Sequence, residues 1–213
     1  MLNVMLNKIK KMLMKKDKTK TKELVSEDPV ELEAVQLDTL ADVDEVDSDP
    51  EYLEHSAEAV GYENREQQWD TYRVIANYIG KGDSVLDFGA ARGDFERFFE
   101  SEFNESIQYI GVDMNQQLID AGNKVYDGEV ELVCTDWFKI DKDIKQDWSI
   151  NIGSSNLRYD ADTVRDDMTY LQDTIKTMMS HCEKGSIILL ASDQAGIDDG
   201  LVNWNAGDVF NWA

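Results

Sequence analysis

The spacing of apolar positions changes along the chain, and each change marks an element. Leu2, Met5, Leu6, Ile9, Met12 and Leu13 recur at helical intervals, with Lys8, Lys11 and Lys15 toward the other face, so residues 1–16 read as an amphipathic helix. From residue 23 to 60 that regularity gives way to acidic residues with scattered Val and Leu, and both prolines, Pro29 and Pro50, fall here. High charge of one sign with few apolar anchors favours a disordered linker. Ordered patterning resumes near Ala59. Trp69, Tyr72, Ile75, Ala76 and Ile79 share one face of a predicted helix over Glu66–Ile79, which Gly80 and Gly82 stop. Short apolar runs predict strands at Ser84–Phe88, Gln108–Asp113, Glu129–Cys134, Ser149–Ile152 and Ser186–Ala191. Between them, helices are predicted at Asp94–Glu102, Gln116–Ala121 and Ala161–His181, the last carrying Val164, Met168, Leu171, Ile175 and Met178 at helical spacing. DVFNWA at the end reads as the opening turns of another helix. Apolar strands alternating with helices imply βαβ units and a doubly wound, mostly parallel α/β sheet covered on both faces.

The first strand leads into the most informative stretch, SVLDFGAARGDF, residues 84–95. An apolar run ends at Asp87, a tight loop follows over Gly89-Ala90-Ala91-Arg92-Gly93, and a helical pattern begins at Asp94. Strand, glycine loop and helix together bring backbone close to a nucleotide-like ligand and aim helix N–H groups at it. Asp87, two residues before the first glycine, suits a ligand with a positively charged amino group and suits a pyrophosphate badly. A dinucleotide fingerprint would need Gly at 91 and 94, where the chain has Ala91 and Asp94.

DFGAARG resembles motif I of the class I S-adenosylmethionine-dependent methyltransferases, Asp/Glu-x-Gly-x-Gly-x-Gly, with Ala91 in place of the middle glycine. An alanine is tolerated there if its φ is negative. The resemblance covers about residues 60–213, and in particular is to small methyltransferase-like proteins of tailed bacteriophages and bacteria. It implies S-adenosyl-L-methionine as cofactor and a Rossmann-like fold. Asp87, Phe88, Gly89, Ala91 and Gly93 would surround the methionine part. Asp113, in YIGVDMN, fits the acidic strand end that binds the ribose hydroxyls, and Met114 would follow as an apolar contact to the adenine. Asp136, in CTDWF, fits the position that meets the adenine amino group, with Trp137 packing on the ring. The acceptor loop would be NIGSSNLRYD, where Ser154, Ser155, Asn156, Arg158 and Tyr159 are candidates to orient a substrate and none is an evident general base. DNA amino-methyltransferases carry a Pro-Pro motif at that place; this loop has no proline, which disfavours base methylation. The family's sixth and seventh strands have no counterpart, so the far sheet edge is expected to stand open. Trp204 and Trp212 are expected near the pocket mouth or in the core.

Charge narrows the partners. Residues 1–22 carry eight Lys and one Asp, residues 23–64 carry fifteen acidic residues with no Lys or Arg, and the whole chain has a formal net charge of −23. Such a body repels nucleic acid except through the N-terminal lysines. Cys134 and Cys182 form no C-x-x-C, and His55 and His181 are the only histidines, so neither a disulfide framework nor a metal centre is indicated. No apolar run is long enough to span a bilayer, and the N-terminus does not read as a secretory leader. The organisation read from the chain is a basic segment over 1–22, an acidic linker over 23–58 and a cofactor-binding domain over 59–213. The expected function is methyl transfer to a small molecule or protein in the cytoplasm, the host's cytoplasm or a virion if phage-encoded. The alternative is a non-catalytic interaction or structural protein on the same scaffold. In either case a protein partner would dock through residues 1–22 or the open C-terminal sheet edge.

Overall fold

Alternation within one central strand divides the fold into two cores. In β1 (Ser84–Phe88), Val85 turns into one apolar cluster while Leu86 and Phe88 turn into another on the opposite face. The computed structural model describes residues 50–156, 167–193 and 202–212. The helix predicted over 1–16, the linker up to residue 49, Arg158, Tyr159 and the first turns of the helix predicted from Ala161 lie outside the described residues. Those described belong to one unit, Leu40–Ala213.

Besides β1, the sheet contains β2 (Gln108–Asp113), β3 (Leu132–Cys134), β4 (Gln146–Ile152) and β5 (Cys182–Leu189). Their order is β3-β2-β1-β4-β5, with every neighbouring pair parallel. The helices are α1 (Pro50–His55), α2 (Arg65–Ala76), α3 (Asp94–Phe103), α4 (Gln116–Val125), α5 (Asp167–Ser180) and α6 (Ala206–Trp212). Tyr72, Ile75 and Ala76 of α2 and Phe95, Phe98 and Phe99 of α3 cover one face with Val85, Tyr109 and Ile150. Trp137, Ile140 and Met178 of α5 close the other over Leu86, Phe88 and Val112. The chain runs from β1 outward through β2 to β3, then crosses to β4 and β5 on the other side. The direction of winding therefore switches between β1 and β4, the place where open α/β sheets bind ligands. Register sets the strand ends level: Asp87 stands opposite Gly111, Phe88 opposite Val112 and Asp113 opposite Cys134.

β1 and β2 have the predicted bounds. β3 is shorter than predicted, and β4 begins at Gln146 because a polar start, Gln146-Asp147-Trp148, joins the ladder beside β5. A larger departure is Pro50–His55, expected within the disordered linker. It forms α1 and packs against α4. Proline at the first helical position and Glu51 in the first turn suit a helix start. The Arg92 and Arg65 guanidiniums donate to its terminal carbonyls, Leu53 O at 2.6 Å and His55 O at 3.2 Å. Beyond β5 the described residues add no sixth strand. Instead a single parallel bridge joins Ser192 and Trp204, and Trp204 N donates to Ala191 O at 2.8 Å. Trp204 is core, buried with Leu171 and Val202 rather than at a pocket mouth, and the Trp212 side chain lies outside the described residues. Among the described residues no helix is long and apolar enough to cross a membrane.

Phe98 is the most densely ringed of the core aromatics, in edge contact with Trp69, Tyr72 and Phe103 and 1% exposed. Phe98→Ala is expected to cost about 3–5 kcal/mol, read as a lower urea midpoint at unchanged slope.

Candidate functional site

The site begins with a carboxylate that the fold buries and only half satisfies. Asp87 is 3% exposed at the carboxyl end of β1. Tyr109 stands opposite Val85, two residues back on the same face, so its hydroxyl reaches up and donates to Asp87 Oδ2 at 2.6 Å. Oδ1 is buried and has no hydrogen-bond partner among the described residues. Burial pushes the Asp87 carboxyl up to about 7; the Tyr109 hydrogen bond opposes this and the nearby Asp113 charge adds to it. An unpartnered buried acceptor is costly, and a cationic donor placed at Oδ1 would relieve it.

Directly after Phe88 the backbone turns sharply. Gly89, Ala91 and Gly93 all have positive φ, at 80°, 49° and 79°. The condition under which an alanine is readily tolerated here, a negative φ, is not met: Ala91 sits in the left-handed region that alanine enters at a cost of about 1–2 kcal/mol. What holds it there is Asp113, whose Oδ2 accepts the Ala91 N–H at 2.8 Å while Oδ1 accepts the Asn115 N–H at 2.8 Å. One carboxylate thus fixes both the loop after β1 and the turn after β2. Burial raises the Asp113 pKa, and these N–H groups oppose the rise. The loop is also wedged from the side. A methyl group on Gly122 of α4 would collide with the Arg92 carbonyl, so only glycine lets the helix approach the loop this closely.

The other predicted residues divide. Phe88 is fully buried and supplies its backbone to the loop, with its ring in the core. Met114 is 46% exposed beside Asp113 at the strand edge, where it offers an apolar surface. Asp136 begins the turn after β3: Oδ1 accepts the Phe138 N–H at 3.0 Å, and Oδ2 pairs with Lys139 at 3.0 Å. Trp137 departs from its expected role. It is 2% exposed, packed among Phe88, Phe138 and Tyr170, so its ring is core and has no open face for a base.

The loop after β4 also departs from expectation. Asn151, fully buried, donates from Nδ2 to Phe88 O at 2.9 Å and to Ser154 Oγ at 2.6 Å, and its Oδ1 accepts from Ser155 Oγ at 3.1 Å. Ser154 Oγ also donates to Phe88 O at 3.2 Å and lies so close to Gly89 that a side chain there would strike it. Asn156 Oδ1 accepts the Ala191 N–H at 2.9 Å, and Asn156 O accepts the Val202 N–H at 2.7 Å. Ser155 and Asn156 are buried. These hydrogen bonds of Asn151, Ser154, Ser155 and Asn156 Oδ1 tie β4 to β1 and to the end of β5. Tyr109, Asn151 and Gly122 shape the candidate site and were missed by sequence reading. Asn151, a polar residue inside the apolar run SINI, was the one visible signal.

No protein-family model matches the chain, and no curated protein does. Solved structures do. The N-methyltransferase NodS from Bradyrhizobium japonicum WM9, in complex with S-adenosyl-L-homocysteine, aligns with a TM-score of 0.53 at 17% identity, covering 77% of each chain. The chain shares the Rossmann-like, five-stranded parallel α/β fold of this methyltransferase. The PH0226 protein from Pyrococcus horikoshii OT3 aligns with a TM-score of 0.53 at 17% identity over 76% of this chain and 84% of that one. The [4+2]-cyclase SpnF aligns with the same TM-score at 15% identity over 71% of this chain and 57% of that one. A cyclase among these neighbours means that the fold by itself does not set the reaction.

Asp87 gives the site a pH signature. Its proton is held in the folded state up to about pH 7 and released in the unfolded chain near 3.8. Between those values the unfolded state binds fewer protons, so this group's contribution to stability falls as pH rises and is fully lost above about 7. Asp87→Asn is expected to remove that slope. Urea midpoints of the two proteins, compared from pH 4 upward, would diverge if the assignment is right and run parallel if it is wrong.

Proposed function

We propose that the protein is an S-adenosyl-L-methionine-dependent methyltransferase acting on a small-molecule or protein acceptor. The observation that carries this reading is the buried, unpartnered Oδ1 of Asp87 beside the Gly89–Gly93 loop. A carboxylate in that state fits a positively charged amino group, and the positive φ values at Gly89, Ala91 and Gly93 turn the loop sharply just after it. The residues present fit the cofactor. Asp87 would take the amino group of the methionine part. Asp113, with one lone pair of each oxygen already used by the Ala91 and Asn115 N–H groups, retains a second on each for two ribose hydroxyls. Met114 would lie against the adenine, and Asp136 would meet its amino group. Trp137 belongs to the floor beneath this site through its contact with Phe88.

When bound, the cofactor supplies an electrophilic methyl group on a sulfonium. The chain's own part is to bind, orient and exclude water. Transfer of such a methyl requires mainly in-line placement of the nucleophile, so a site without a dedicated base can support it. The Asn151–Ser154–Phe88 seam keeps the ends of β1 and β4 in fixed relation, and with them the floor on which an acceptor would sit. A net charge of −23 favours a neutral or cationic acceptor over nucleic acid.

Calorimetric titration with S-adenosyl-L-methionine tests the reading. Saturable binding by the intact chain is expected. Asp87→Ala should weaken it by at least about tenfold, the loss of one charge-assisted bond, and Asp113→Ala should also weaken it. Absence of binding by the intact chain would overturn the cofactor assignment, and undiminished binding by Asp113→Ala would overturn the ribose assignment.

A further inference from the structure

Arg92 lies inside the glycine loop and is fully buried. Its Nη1 donates to Leu53 O of α1 at 2.6 Å, and its Nη2 donates to Asp94 Oδ2, on the first residue of α3, at 2.7 Å. Its Nε is buried without a partner among the described residues. A buried guanidinium satisfied at only two of its nitrogens is a poor source of stability. Its effect is geometric: it pins the loop backbone to one position of α1. Arg65 at the start of α2 repeats the pattern, with Nη2 donating to His55 O at 3.2 Å and Nη1 3.6 Å from the same Asp94 oxygen. Gln68 Nε2 donates to that oxygen at 2.9 Å, and the Tyr126 hydroxyl donates to Oδ1. Burial works against ionisation of Asp94, yet the Arg92 guanidinium holds its carboxyl below the usual range. An ion pair between Glu54 and Lys124 ties α1 to α4, the helix wedged against the Arg92 carbonyl. The terminal carbonyls of α1, which have no partner within the helix, are thus capped by arginines whose common anchor is Asp94, the residue that follows the loop.

From this arrangement we infer that Pro50–His55 is a strap coupled to the cofactor loop through Arg92, a positioning residue that sets cofactor affinity without touching the cofactor. The strap closed on α4 favours the loop geometry at Ala91; with the strap open, Arg92 loses the Leu53 carbonyl and Asp94 is left to orient it alone. The inference rests on the cofactor reading above for the identity of the ligand, though not for the strap–loop coupling itself. Coupling is reciprocal: if strap closure strengthens binding, binding must stabilise the strap by the same factor.

The test uses the full chain, S-adenosyl-L-homocysteine as probe, calorimetry and amide hydrogen exchange. Arg92→Lys keeps the charge but lacks the fork that reaches Leu53 and Asp94 together. It is expected to weaken probe binding by about tenfold, one charge-assisted bond. In the intact protein the probe should slow exchange in the strap, and in Arg92→Lys that protection should vanish while protection of β1 and β2 persists. Equal strap protection in both proteins would overturn the inference. If the intact chain fails to bind the probe, the cofactor reading falls, and the coupling is judged without ligand. Arg92→Lys should then speed exchange in residues 51–56 and 89–93 together, and faster strap exchange with an unchanged loop would overturn it. Should Arg92→Lys not fold, Glu54→Pro breaks α1 from outside the sheet core and carries the same expectation, with unchanged affinity and unchanged loop exchange counting against it.

Discussion

The Asp113 carboxylate is the constraint on which the site depends. It accepts the Ala91 N–H from the loop after β1 and the Asn115 N–H from the turn after β2, so two connections that are far apart in sequence share one anchor. Ala91 occupies left-handed backbone that an alanine enters reluctantly, and the tie to Asp113 is what over-determines it. Strain of this kind persists only where surrounding structure enforces it. The enforcement comes from three sides: Asp113 from β2, Gly122 from α4 and Arg92 from the loop itself.

A second polar group sits on the other side of the same loop. Asp87 is buried with one oxygen bonded to Tyr109 and the other, among the described residues, to nothing. A protein optimised for stability alone would not leave an acceptor in that state, and the arrangement makes sense when a ligand completes it. The two aspartates divide the labour through their surroundings. Asp113 uses one acceptor site on each oxygen to shape the loops, while Asp87 leaves one oxygen wholly in reserve. Each holds its carboxyl above the ordinary range through burial, and their proximity adds to the effect at Asp87.

The loop after β4 shows the opposite economy. Asn151, Ser154, Ser155 and Asn156 are polar residues at the carboxyl edge, where a substrate-orienting role is the natural reading. In the fold, Asn151, Ser154, Ser155 and the Asn156 carbonyl oxygens bond Phe88, Ala191, Val202 and one another. They close the seam at the switch point between β1 and β4.

Much of this architecture was legible in the amino-acid order. The bounds of β1 and β2, the strand–glycine–helix corner and the aspartates at the strand ends follow from local periodicity and turn chemistry, which act over a few residues and leave a direct imprint on the chain. Four things were decided only in three dimensions. Tyr109 reaches Asp87 because parallel register sets it opposite Val85. Ala91 takes a positive φ because a carboxylate 22 residues away captures its N–H. Trp137, beside a strand end and so a plausible base-stacking residue, is drawn into the core between Phe88 and Tyr170. The acidic stretch at Pro50–His55, which lacks the apolar pattern of a self-sufficient helix, forms one because Arg92 and Arg65 meet its terminal carbonyls. Each depends on a contact between residues distant in sequence, and such contacts exist only once the sheet has brought their elements together.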